Sequence, residues 1–368
     1  MMLLLALLGC TCAPDATTAQ PSPAAPLPEG PAVLLLDRPT PLKGISAARH
    51  HQAPSVRLIP GTEDAWVAWR RGPNRPEIVL GRLDAAMALT VGPTPISPRD
   101  AGDGSPHLRL IRGAPSVTWS HQDVLYEASL SASGEPKTAP RRLGEAAEGA
   151  AVRLSERDLF WMQRGTDALH LHWHRGGSEP KHLRLDGATQ PGVLLSQRGT
   201  WVGWLPTHQP GQLHLARIRG GELQASTLVT IPPRAQDVQL AETPDAWALV
   251  HRSPAEVRCL GPHGSPRGMP VPLAPEPSAI AVAAHGHTAV IATLVDDRLL
   301  LHGVDLRSCT PTGAPLDPTD GVVGHLAHPS VDLTLGEGGL DGIVAWEHRH
   351  TPYTAPNIGG RRFAMPTP

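Results

Sequence analysis

The chain has 368 residues, of which 40% are hydrophobic and 18% charged, and a formal net charge of −2. That length supports one large core or two ordinary ones, while the near-zero charge without a basic stripe argues against a nucleic-acid partner. With 37 glycines and 41 prolines the chain stays below the composition of disordered proteins, yet proline at this density leaves little room for ordinary helices and suits many short strands joined by turns.

The chain begins with the apolar run MMLLLALLG, followed by Cys10. The run is too short to span a bilayer, which takes about 20 apolar residues. With Leu7 at −3, Gly9 at −1 and Cys10 at +1, it resembles the lipobox of bacterial lipoproteins. The resemblance implies that residues 1–9 are a signal segment and that Cys10 carries a thioether-linked diacylglycerol. It also implies a lipid-anchored protein of the cell envelope. Thr11 stands at +2 where aspartate would mark inner-membrane retention, so by the same resemblance the outer membrane is the expected destination. Residues 10–30 are rich in proline and small side chains, with Leu27 their one large apolar residue. Such a segment buries too little surface to fold. In extended polyproline form, at about 3.1 Å per residue, it would serve as a tether reaching roughly 60 Å.

From residue 31 onward one pattern recurs: an alternating strand, a turn, a second apolar strand often ending in tryptophan, a polar turn, and a third alternating strand. It can be placed seven times. The second strands end at Trp69, Trp119, Trp161, Trp204, Val250, Ala292 and Trp346, at intervals of 42 to 54 residues. That spacing is the roughly 40–50 residues of a four-stranded propeller blade. Eight of the nine tryptophans (66, 69, 119, 161, 201, 204, 247 and 346) fall in these second strands. A mid-blade strand is covered on both faces, which favours large apolar side chains.

The pattern predicts an all-β chain, a single β-propeller over 31–368 with seven blades the favoured count and six or eight open. A pair of β-sandwiches is the competing architecture. The last repeat, ending RRFAMPTP, leaves no room for a fourth strand, while PAVLLLD (31–37) has no partner of its own. The expectation is that 31–37 supplies the outer strand of the last blade and closes the ring. The phrases PSV…GIVAW and PSVTW resemble repeats of secreted bacterial propeller proteins, many of them lipoproteins. That likeness covers about 54–363 and implies a fold, not an activity.

Chemistry-bearing residues give fewer signals. LHLHWH places His170, His172 and His174 on one strand face, a metal candidate made weak by the absence of a nearby Asp, Glu or Cys to complete the set. His214 matches His170 in the next repeat, and the histidines of HGH (285–287) and HRH (348–350) read as solvated turn residues. Cys259 and Cys309 fall in successive repeats at places that do not match. With roughly 26 Å expected between them along the strand direction, no disulfide is expected.

There is no G-x-S-x-G elbow, H-E-x-x-H, P-loop or S-x-D-x-G-x-T-W box. Acidic pairs such as Asp296–Asp297 read as turn residues. No catalytic residue and no cofactor is assigned. The expected function is a non-catalytic propeller that binds or scaffolds a protein or glycan. The alternative is a glycan hydrolase or lyase, whose mark would be two carboxylates about 5–10 Å apart at the central channel. A channel lined by Arg, Ser and apolar groups would count against it.

Overall fold

In the computed structural model, residues 33–366 are described except 37–39, 43–50, 101–103, 146–150, 154–157, 165–168, 176–180, 186–187, 196–200, 207–208, 210, 220–221, 323, 337 and 351–355. Cys10, the signal segment and the 10–30 tether lie outside the described residues. The described chain is all-β, with no helix. Its strands form seven antiparallel sheets, six of them four-stranded, with the strands of each in sequence order. The six span 51–95, 107–145, 151–185, 188–230, 236–272 and 279–311, and the seventh, five-stranded, joins 325–366 to Leu34–Leu35 and Thr40–Pro41; they are numbered here as sheets 1 to 7 in that order.

Each predicted anchor falls in the second strand of its sheet, from Trp69 in Ala65–Arg71 to Trp346 in Gly339–Arg349. Ala65–Arg71, Trp247–Arg252 and Thr288–Val295 are apolar through their centres because both of their faces are covered, whereas Ala114–His121 alternates and buries Ser116 and Thr118 beside Val117 and Trp119. In sheet 1, Trp66, Val67, Ala68 and Trp69 are all fully buried. Fourth strands behave as edges: Leu89–Pro95 and Pro266–Pro272 are half exposed and carry prolines, which an edge strand tolerates because one side of its backbone pairs with nothing.

The core is divided into apolar layers between consecutive sheets. Sheet 1 packs on sheet 2 through Trp66, Ile78, Val117 and Trp119. Leu125 and Trp161 join sheets 2 and 3. Sheets 4 and 5 meet through Trp201 and Trp247, whose ring centroids lie 4.2 Å apart. Further layers join sheets 5 and 6, and 6 and 7. Sheet 7 packs on sheet 1, with Ile343, Ala345 and Ile358 against Val56, Val67 and Trp69. The last sheet therefore meets the first, as no sandwich of two facing sheets would require.

First strands of neighbouring sheets also touch at most seams, including His325–Leu335 of sheet 7 with His51–Leu58 of sheet 1. Side chains join them. Ser330 Oγ accepts from Val56 N (3.2 Å), Asp332 Oδ2 from Leu58 N (2.8 Å) and Ser55 Oγ from Leu108 N (3.1 Å). Gln239 Nε2 donates to Ile280 O at 2.8 Å. The serines of PSVRLI and PSVDLTL thus share a physical role, each accepting a backbone N–H from the next first strand, whereas Ser116 of PSVTW donates to Glu127 within its own sheet.

Near the amino terminus, Leu34 and Leu35 pair antiparallel with Ala364 and Phe363 on the last strand of sheet 7. Thr40 and Pro41 pair with Gly360 and Gly359 on the same strand. Val33 is buried in the layer between sheets 6 and 7, and Leu42 in the layer between sheets 7 and 1.

One expectation is corrected. Cys259 and Cys309 form a disulfide, with Cα atoms 5.6 Å apart. The expected separation of roughly 26 Å along the strand direction takes Cys259 as lying near the start of its strand, whereas it is the fourth of the five residues of Glu256–Leu260. Cys309 lies in the turn after Arg298–Asp305 and directly precedes Thr310, which pairs back onto Asp305. The chain has doubled back by then, so counting residues forward from the strand start exaggerates the separation. Both cysteines sit near the same ends of their sheets, and the bond ties sheet 5 to sheet 6.

Candidate functional site on the first strands

Three consecutive sheets place a charged side chain at one equivalent position. Arg57 pairs with Trp66, Arg109 with Ser116 and Asp332 with Ile343; each partner stands three residues before the anchor tryptophan of its sheet. Side chains alternate along a strand, so Arg57 shares a face with Ser55, and Asp332 with Ser330. These two serines reach toward the next sheet. Asp332, Arg57 and Arg109 thus follow one another across the seams from sheet 7 through sheets 1 and 2.

Arg57 Nη1 donates to Val56 O at 2.7 Å and lies 3.7 Å from Asp332 Oδ1. The latter is an ion pair without a close hydrogen bond. Asp332 spends its other oxygen on Leu58 N. Arg109 Nη1 makes a long 3.4 Å contact to Leu108 O, and its Nε is buried with no hydrogen-bond partner. Arg57 and Asp332 retain side-chain exposures of 17% and 16%.

The electrostatics match a confined positive site. Burial first, and then the charge of Arg57, bring the Arg109 pKa down to about 9, with Asp332 opposing. At neutral pH Arg109 remains protonated. Burial, followed by Arg109 and Arg57, pushes His107 down to about 4 and leaves it neutral. Burial raises the Asp332 pKa, while Arg57 and the backbone N–H groups of Leu58 and Leu333 oppose that shift. Two cations therefore face at most one anion.

The described first strands carry two other carboxylates, Asp237 and Glu242. Asp237 is engaged by Arg252, with Nε 3.4 Å from Oδ2. Arg153 lies on the first strand of sheet 3, one residue out of the register shared by the other three.

The structure brings His170 and His172 together on one face, with ring centroids 6.3 Å apart. It adds His182, which stands directly opposite His172 on the neighbouring strand, its ring 5.7 Å away. Sequence spacing along one strand could not show that third histidine, because cross-strand register decides it. The side chain of His174 is outside the described set. His172 stacks on Trp161 at 5.2 Å, and burial, then His182 and His170, bring its pKa down to about 4. Among the described residues no group of three or more His, Cys, Asp or Glu is arranged to hold a metal ion.

His214 packs against Trp204 and contacts Gln209. Asp296 and Asp297 occupy a turn, as expected, but they also line a cavity of about 490 Å³ with Asp317 and His325. Asp297 Oδ2 lies 3.0 Å from His325 Nδ1.

No family model and no curated protein matches this sequence. Solved structures do. One, from a study of two prolyl endopeptidases and the role of inter-domain dynamics in their catalysis, superposes with a TM-score of 0.51 at 14% identity. The match covers 81% of this chain and 45% of that one, so this chain spans less than half of that protein. Another, a protein of unknown function from Dyadobacter fermentans, gives a TM-score of 0.51 at 13% identity over 92% of this chain and 100% of that chain. The fold is β-propeller-like. Identities this low carry the fold alone, and none of those proteins' chemistry passes to this chain.

Proposed function

We propose that this protein is a cell-envelope lipoprotein, acylated at Cys10 and held at the outer membrane, whose head is a non-catalytic seven-bladed propeller that binds a protein or glycan. In this reading residues 10–30 are the tether, the segment Leu34–Leu35 is the outer strand of the seventh blade, and the contact of sheet 7 with sheet 1 closes the ring. The observation that carries the binding reading is the Asp332–Arg57–Arg109 series. It offers fixed charge for recognition of a ligand. The Cys259–Cys309 bond supports an oxidising compartment such as the envelope.

Fractionation tests the anchoring. The natural chain is expected in the outer-membrane fraction with an acylated amino-terminal cysteine by mass analysis, and the Cys10→Ser variant is expected to leave that fraction. Equal distribution of the two proteins would remove the lipoprotein reading. Incubation with envelope glycans, followed by mass analysis, tests the non-catalytic reading; a cleaved product would overturn it.

A further inference from the structure

We propose that Arg57 and Arg109 form a binding site for an oxyanion, a carboxylate or phosphate group carried by the ligand of this propeller. The inference rests on the binding reading above and specifies the chemistry its ligand must present. Three observations lead to it.

The first is that stapling does not explain these arginines. At this position Asp332 accepts the N–H of Leu58 on the next first strand. One position earlier along their faces, Ser330 and Ser55 accept Val56 N and Leu108 N. Stapling of this kind needs an acceptor, and a guanidinium has none. Arginine at the Asp332-equivalent place in sheets 1 and 2 thus gives up that role.

The second is unspent donor capacity. A guanidinium carries five N–H donors in a rigid fork. Among the described contacts Arg57 and Arg109 each donate once, to the carbonyl of the preceding residue. The Arg109 Nε is buried and unpartnered, and leaving a charged donor buried without an acceptor is costly.

The third is charge. Two guanidiniums face the single carboxylate of Asp332, which already accepts from Leu58 N and lies 3.7 Å from Arg57. A second, external oxyanion would relieve the repulsion between the arginines and supply acceptors matched to their forks. His107, on the same strand face as Arg109, is kept neutral and so adds no third positive charge.

The experiment uses the purified full-length protein in detergent, with inorganic phosphate and succinate as separate probes and sodium chloride at matched ionic strength as the control. Thermal unfolding and calorimetry read binding. The expected result is a saturable rise in melting temperature and a measurable heat with at least one probe beyond the chloride control; the stronger arm identifies phosphate or carboxylate as the preferred group. Arg57→Met and Arg109→Met should each weaken binding tenfold or more. Asp332→Asn, which removes the competing carboxylate but keeps an acceptor for Leu58 N, should tighten it.

Circular dichroism verifies folding, and Arg109→Lys serves as the conservative variant if Arg109→Met fails to fold. No response to either probe, or an unchanged response in the Arg57→Met/Arg109→Met double variant, overturns the inference. Neither result touches the Cys10 fractionation or the glycan-cleavage assay, so failure of this site and failure of the lipoprotein reading are separately visible.

Discussion

The Cys259–Cys309 bond links residues 50 apart in sequence, close to one full repeat, so it ties one sheet to the next rather than closing a local hairpin. In the chain-entropy treatment, a cross-link closing a loop of that size lowers the denatured-state entropy enough to be worth about 4 kcal/mol at 25 °C. Residual structure in the denatured chain reduces that figure. Both cysteines are almost fully buried in the layer between sheets 5 and 6, beside Val257, Val271 and Leu306. Reductant should therefore reach the bond only when this region opens.

The perturbation is the double replacement Cys259→Ser/Cys309→Ser, studied beside the natural chain with and without reductant in urea. The natural oxidised protein should unfold at a clearly higher midpoint. The expected loss in the double variant is about 3–4 kcal/mol, with a polar hydroxyl in an apolar layer adding to it. Reduced natural protein should fall near the variant. Non-reducing peptide mapping should recover a Cys259–Cys309 cross-linked pair. A map lacking that pair, or a midpoint that does not move on reduction or double replacement, would refute the placement of the Leu306–Cys309 turn against sheet 5.

Three more perturbations read other parts of the fold. Leu42 is 1% exposed between sheets 7 and 1, so Leu42→Ala should cost about 2–4 kcal/mol in urea titration; a neutral result would mean that the amino-terminal segment does not seat there. Gly359 stands opposite Trp346, and a Cβ on it would lie 2.6 Å from the indole, so Gly359→Ala should destabilise by about 1–3 kcal/mol and lower the melting temperature. His107, His172 and His302 all have folded pKa values near 4, against 6.5 when free, with burial the first cause. Between pH 6.5 and 4 the unfolded chain binds more protons, so stability is fully present above 6.5 and should fall as pH drops toward 4. The raised pKa of Asp332 acts in the opposite sense, and urea midpoints at pH 7, 5.5 and 4.5 measure the net slope.

Much of the architecture was legible because it follows from burial. A second strand with a sheet on each side must be apolar on both faces, and that requirement left tryptophans at 66, 69, 119, 161, 201, 204, 247 and 346. The anchor spacing marked out the sheets and assigned their strands. What failed was distance. Residue counts measure contour length and do not reveal the Cys259–Cys309 contact, because Cys309 sits in a turn that has already reversed direction. The pairing of His182 opposite His172 was invisible for a related reason: register between strands is fixed by turns and bulges, and spacing along one strand does not encode it.

The charged series marks a different limit. Arg57 and Arg109 stand in visibly similar phrases, PSVRLI and PHLRLI, and Asp332 stands in PSVDLTL, so their equivalence was open to alignment. Their proximity was not. Arg57 and Asp332 are at opposite ends of the chain and meet because sheet 7 packs against sheet 1. A substitution that loosens that seam should therefore do more than destabilise the protein. It should separate Asp332 from Leu58 N and Arg57 and free the carboxylate to turn away, changing how strongly the arginines attract an anion. Fold and candidate site are coupled at the junction between the last sheet and the first. Mutations there, such as Ile343→Ala, should alter oxyanion binding although residue 343 carries no charge.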